Sequence, residues 1–145
     1  MPDPATILVA EDDENDLVIL SYAFKQAGLS HRLAHVPDGE AAIAYLLGAP
    51  PYADRLKHPL PDLLLLDLKM PKVSGFDVLA WLQTQPALNQ IPVVVLSGSE
   101  LEEDKVQCAQ LGADGFQTKA SDFRQAVRIV QQLDARWLNP AAKPA

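Results

Sequence analysis

Leu63-Leu64-Leu65-Leu66-Asp67-Leu68-Lys69-Met70-Pro71 decides the fold. Four consecutive leucines leave no polar face, so the segment reads as a strand buried on both sides, as in the middle of a parallel sheet. Its C-terminal end delivers a carboxylate, and in an open α/β sheet that end is where ligands bind. A second apolar strand, Ile7-Leu8-Val9-Ala10, runs into Glu11-Asp12-Asp13. Two buried strands ending in acid suggest a pocket built for a cation, with one carboxylate left for chemistry.

Outward from these two strands the chain alternates. Strands are expected at Thr6–Ala10, His31–Val36, Asp62–Asp67, Pro92–Ser97 and Gly115–Thr118. Helices are expected at Asp13–Ala27, Glu40–Leu47, Gly75–Gln83, Glu100–Leu111 and Asp122–Leu138. Asp38 and Ser121 are candidate N-caps, and Gly28 and Gly112 close helices. Phe123, Ala126, Val127, Val130 and Trp137 form the expected apolar stripe of the last helix. Strands alternating with helices imply a parallel sheet with right-handed crossovers and helices on both faces. The fold class is therefore α/β, a flavodoxin-like (βα)5 three-layer sandwich with sheet order 2-1-3-4-5. That order brings Glu11, Asp12 and Asp67 to one crevice. Gly48–Pro61, with four prolines, interrupts the rhythm. Residues 1–138 are expected to form one domain and 139–145 a tail, with no output domain expected.

Composition narrows the function. The chain has 145 residues, enough for one domain with a sizeable core, and a formal net charge of -7. That charge argues against sequence-independent nucleic-acid binding, which uses Lys and Arg against phosphates. No apolar run reaches the roughly 18 residues that span a bilayer. The start Met1-Pro2-Asp3-Pro4 lacks signal-peptide character, and one cysteine, Cys108, excludes an internal disulfide framework. A cytoplasmic location follows as the expectation. Cys108 reads as a small core or interface residue, and His31, His35 and His58 show no ligand spacing.

Three converging carboxylates repel one another and call for a cation or a raised pKa. Oxygen donors suit Mg2+ or Ca2+. A carboxylate can attack phosphorus and become an aspartyl phosphate, and Asp67 is the candidate nucleophile. Ser97, ending the fourth strand, and Lys119, following the fifth, would neutralise the phosphoryl oxygens.

Glu11-Asp12, Asp67 within LDLKMP, Ser97-Gly98 and Lys119 occur in this order on the five-fold pattern, and so the chain resembles the receiver domain of two-component response regulators. The resemblance implies that Asp67 is the phosphoacceptor. It implies that Glu11, Asp12, Asp67 and the backbone carbonyl of Lys69 hold Mg2+, with Ca2+ or Mn2+ as substitutes. It implies that Ser97 and Lys119 bind phosphoryl oxygens and that Phe116 is the aromatic switch. Such a protein is not an enzyme in the turnover sense; it catalyses its own phosphotransfer and dephosphorylation. The family usually has proline after the lysine, often in cis, where Ala120 stands here, and tyrosine where Phe116 stands. Lys69 places a basic side chain beside the phosphoryl site. The 48–61 loop and the ending Ala135-Arg136-Trp137-Leu138-Asn139-Pro140 are similar to small stand-alone regulators that serve bacterial phytochrome histidine kinases. A phytochrome sensor kinase is the partner so implied. A homodimer through the fourth helix, fifth strand and fifth helix is implied too, with Trp137 and Leu138 as anchors; Trp137 could equally pack into its own core. The alternative is a receiver-like scaffold or dimerisation module that is never phosphorylated. A haloacid-dehalogenase-type phosphatase would need an acid where Lys69 stands, and a flavodoxin would not place four acids, Glu11 to Glu14, against a flavin phosphate.

Overall fold

The computed structural model describes residues 4–138. The chain alternates β1 (Thr6–Ala10), α1 (Glu14–Gln26), β2 (Arg32–Val36), α2 (Gly39–Leu47), β3 (Leu63–Leu66), α3 (Gly75–Leu82), β4 (Val93–Ser97), α4 (Glu102–Gln110), β5 (Gly115–Thr118) and α5 (Phe123–Leu133). All five strands are parallel, in the order β2-β1-β3-β4-β5. The expected fold is the observed one.

The leucine strand explains why the sheet is closed on both faces. Leu64 and Leu66 point into the core under α2, α3 and α4, with Leu8, Val95, Tyr45, Val78 and Leu79. Leu63 and Leu65 point into the core under α1 and α5, with Ile7, Val9, Phe24, Ile129 and Val130. Side chains alternate between faces along a strand, so each residue of an all-leucine run has a core to fill. All four are completely or almost completely buried.

The helix starts show local reasons. Asp13 accepts from the N–H of Asn15, Asp38 from Ala41, and Ser74 forms a reciprocal capping box with Asp77. Three expectations are corrected. Asp122, not Ser121, caps α5 by accepting from Gln125 N–H, while the Ser121 hydroxyl and N–H donate to the Gln125 side chain. Phe123 lies off the apolar stripe and is exposed, because Ala126, Ile129, Val130 and Leu133 take the inward face. The fourth helix begins at Glu102, two residues after the expected Glu100.

The last helix also does not run on as an α-helix. A π-helical turn, Asp134–Leu138, follows α5. There the Asp134 carboxylate takes a 2.6 Å hydrogen bond from His31 Nε2. His31 Nδ1 accepts from the Ala5 N–H at 2.9 Å, which assigns the ring proton to Nε2. Leu138 is buried in the α1/α5 core, and Trp137 is half-buried beside Gly115 of β5.

The 48–61 segment is held by its own helix end. The Arg55 guanidinium donates to the carbonyls of Tyr45 and Leu46 in the last turn of α2 at 2.8 and 2.9 Å, and to the carbonyl of His58. Tyr45, Tyr52 and His58 pack edge-on or tilted at 5.2–5.8 Å between centroids. The one cis peptide bond among the described residues is Pro50–Pro51; Lys119–Ala120 is trans.

Candidate functional site at the ends of strands one, three and five

The site grows from backbone register. Ala10 of β1 pairs with Leu66 of β3, and the ladder continues one step as Asp67 N–H donates to the Ala10 carbonyl at 3.1 Å. Glu11 N–H likewise donates to Val36 at 3.1 Å. Glu11 and Asp67 are thus delivered side by side by rigid strands, 5% and 7% exposed. Carboxylate oxygens of Glu11, Asp12 and Asp67 lie within 4.8 Å of one another, with Asp12 on the open side. Lys119 is placed by its own N–H, which donates to the Ser97 carbonyl at 2.8 Å. Its ammonium reaches Glu11 Oε1 at 2.6 Å, Asp16 Oδ2 at 2.7 Å and Asp67 Oδ2 at 3.4 Å.

Ser97 ends β4 fully buried, its hydroxyl accepting from the Ser99 N–H at 3.1 Å. Phe116 is half-buried in β5, with the Lys105 ammonium 5.8 Å from its ring centroid. The Lys69 side chain is exposed. Gly75, the first residue of α3, lies against this end of β3. A Cβ there would collide with the Asp67 carbonyl oxygen and sit 2.8 Å from Leu68 Cα. Gly39 meets the backbone of Val73 in the same way. Lys72, with a left-handed φ of 67°, reaches Asp38 and Glu40 at 3.7 and 3.8 Å.

Two residues at the site carried no expectation. The sequence reading gives Asp16 no role, yet it is a full partner of Lys119. His35 had no role, yet its Nε2 contacts the Glu11 carbonyl at 2.7 Å and braces that backbone. Cys108 is buried in the α4 side of the core, and burial pushes its thiol up to about 11.

The electrostatics are unbalanced. Glu11, Asp16 and Asp67 share a single ammonium, and Asp12 adds a fourth carboxylate beside Glu11 and Asp67. Burial pushes the Glu11 carboxyl up to about 8, with the neighbouring Asp67 carboxylate adding to the rise against the pull of Lys119. Burial lowers the Lys119 pKa, but its bonds to Asp16 and Glu11 outweigh that and hold it above the usual lysine value. Glu11 Oε2 is buried with no hydrogen-bond partner. An unpartnered buried oxygen among three clustered carboxylates fits a hard divalent cation.

A pH-dependent response follows. Glu11 is easier to protonate in the folded chain than its ordinary value of 4.5. The stability this group contributes is full below that value and is lost as pH rises through about 8. Cation binding needs the carboxylate, so it opposes that loss. Saturating Mg2+ is expected to raise the melting temperature more near pH 8.5 than near pH 6, with a stabilisation of about 2.7 kcal/mol wherever Mg2+ stands at a hundredfold excess over Kd. Thermal denaturation with Mg2+ and with EDTA at the two pH values checks this. An increment independent of pH would contradict it.

No helix among the described residues is long and apolar enough to cross a membrane. The family model for the response regulator receiver domain matches residues 7–131. Response regulator Rcp1 of Synechocystis is 34% identical over 142 residues, covering 98% of this chain and 95% of Rcp1. The structure of the Mn2+-bound form of Rcp1 superposes with a TM-score of 0.83 at 34% identity, covering 98% of this chain and 100% of the other. The phosphorylated cyanobacterial phytochrome response regulator RcpA gives 0.87 at 35% identity, covering 99% and 100%. RPA3017, a response regulator in red light signaling of R. palustris, gives 0.90 at 33% identity, covering 97% and 99%. With buried acids at the ends of β1 and β3 facing a lysine from β5, and with likeness running nearly end to end, this chain belongs to the response regulator receiver domain family.

Proposed function

We propose that the chain accepts a phosphoryl group on Asp67 from a phosphohistidine of a sensor histidine kinase, and that the kinase is a phytochrome. The observation that carries the chemistry is the Lys119 ammonium shared between Glu11 and Asp67 in a nearly buried, acid-lined pocket. An Asp67 carboxylate oxygen forms the new bond to phosphorus. The bond from phosphorus to the histidine nitrogen breaks, and its electron pair stays on the imidazole. Glu11, Asp12, Asp67 and the Lys69 carbonyl would hold Mg2+, or Mn2+ or Ca2+ in its place. When bound, that ion supplies charge neutralisation of the phosphoryl oxygens. Lys119 and the Ser97 hydroxyl bind the remaining oxygens.

The aspartyl phosphate carries roughly two negative charges where the carboxylate carried one, and the added charge draws Ser97 and Lys119 toward Asp67. The loops after β3 and β4, with Phe116, form the two-state element. The face made by α4, β5 and α5 carries the readout to another protein in the cytoplasm. Likeness to phytochrome response regulators supports the partner. Incubation with acetyl phosphate and Mg2+, followed by intact mass, should show one phosphoryl adduct on the wild-type chain. Absence of any adduct overturns the reading and leaves a scaffold role.

The same face would form the homodimer. Leu138 lies in the core, so the outer part of Trp137, beside Arg136 at 5.1 Å, is the available anchor. Trp137→Ala is expected to shift a light-scattering dilution series toward monomer at least tenfold higher in concentration, as for a buried aromatic anchor. An unchanged mass profile removes that role.

A further inference from the structure

Lys119 is bound more closely by an acid on α1 than by the phosphoacceptor. An ammonium has three donors, and the two short contacts go to Glu11 Oε1 at 2.6 Å and Asp16 Oδ2 at 2.7 Å, while Asp67 Oδ2 is 3.4 Å away. The two short partners differ in one respect. The Glu11 side chain is 6% exposed and the Asp16 side chain 36%. Glu11 is buried at the strand end and cannot exchange Lys119 for water. Asp16, in the first turn of α1, can turn outward and be hydrated. When the charge at Asp67 grows from one negative unit to roughly two on phosphorylation, Asp16 is the partner that releases.

We propose that Asp16 is a positioning residue that tethers Lys119 in the unphosphorylated chain, so that breaking the Asp16–Lys119 pair is part of the barrier to phosphoryl acceptance. This rests on the assignment of Asp67 as phosphoacceptor. It departs from the role of a first-turn acid as a helix-dipole partner, because the carboxylate points at a cation from β5, 103 residues away in sequence.

The test follows initial adduct formation with acetyl phosphate at saturating Mg2+ by intact mass. Asp16→Asn keeps the size of the side chain and removes the charge that holds Lys119. Its initial rate is expected to rise about threefold to fivefold, the scale of one half-exposed ion pair. Asp16→Glu keeps a carboxylate within reach and should return to the wild-type rate. Glu14→Gln removes another first-turn acid, exposed and away from Lys119, and should leave the rate unchanged. An Asp16→Asn rate equal to or below wild type overturns the tether, as does an equal gain in Glu14→Gln or Asp16→Glu. A wild-type chain that takes no phosphoryl group at all would instead overturn the phosphoacceptor assignment.

Discussion

Asp67→Asn is expected to abolish the phosphoryl adduct and, in the absence of divalent metal, to make the chain more stable. An amide has no carboxylate oxygen to attack phosphorus, so the first effect is complete loss of the adduct by intact mass. The second comes from the crowding of acids. Glu11, Asp16 and Asp67 share one ammonium, Asp12 lies beside Glu11 and Asp67, and like charges at this spacing disfavour one another. Removing one of them relieves a cost that the site carries for its chemistry, by about 1 kcal/mol, in the range typical of relieved functional strain. Urea denaturation in EDTA reads it as a higher midpoint at unchanged slope. The sign should weaken or reverse with saturating Mg2+, because the asparagine also removes one of the proposed metal ligands. A metal-free Asp67→Asn chain less stable than wild type would contradict the charge argument, and a surviving adduct would remove Asp67 as acceptor.

Gly75→Ala is expected to damage the site through the backbone alone. The new methyl group would overlap the Asp67 carbonyl and press on Leu68 Cα at 2.8 Å. Neither neighbour is a flexible side-chain end. Gly75 N–H also donates to the Leu68 carbonyl at 3.0 Å, which ties α3 to this loop. The loop or the helix start must move by the better part of an ångström. Overpacking of this kind costs about 1–3 kcal/mol. A misplacement of about 1 Å at a reacting group can lower a rate by about a hundredfold. The expected result is therefore a chain that still folds, with acetyl phosphate labelling slowed by at least about tenfold. Circular dichroism confirms the fold and intact mass gives the rate. Gly28→Ala is the comparison: nothing lies within 4 Å of a Cβ there, and its left-handed φ of 74° gives strain with no contact to the site. Equal labelling rates in the two variants would contradict the close-approach argument.

Much of this architecture is written locally. The leucine run has no polar face, and such a strand has to be central. Asp38, Gly28, Gly48 and Gly112 mark helix ends by cap chemistry and positive φ. Convergence of Glu11, Asp12, Asp67 and Lys119 follows from strand order, because parallel strands deliver their last residues to one pole. Asp16 and His35 were illegible for a different reason. Each acts through one contact distant in sequence, 103 and 24 residues away, which no periodicity encodes. A usable signal for Asp16 existed: the first turn of α1 starts at the acidic pole, so an acid there has a second potential partner besides the helix dipole. The shift from α5 to a π-helical turn had no local mark. It coincides with the His31–Asp134 bond and the burial of Leu138, which tertiary packing decides.

The Arg55-braced loop has a practical meaning for experiments on signalling. It leaves α2 and enters β3 at the pole of the sheet opposite Asp67, and its guanidinium anchors it to the helix it has just left. At its outer bend Leu56 is 91% exposed. A cysteine installed there would be the accessible thiol, since native Cys108 is buried and holds its proton up to about 11. Leu56 is thus a handle by which the chain can be tagged with a dye or tethered to a surface while the acidic pocket at the opposite pole stays free.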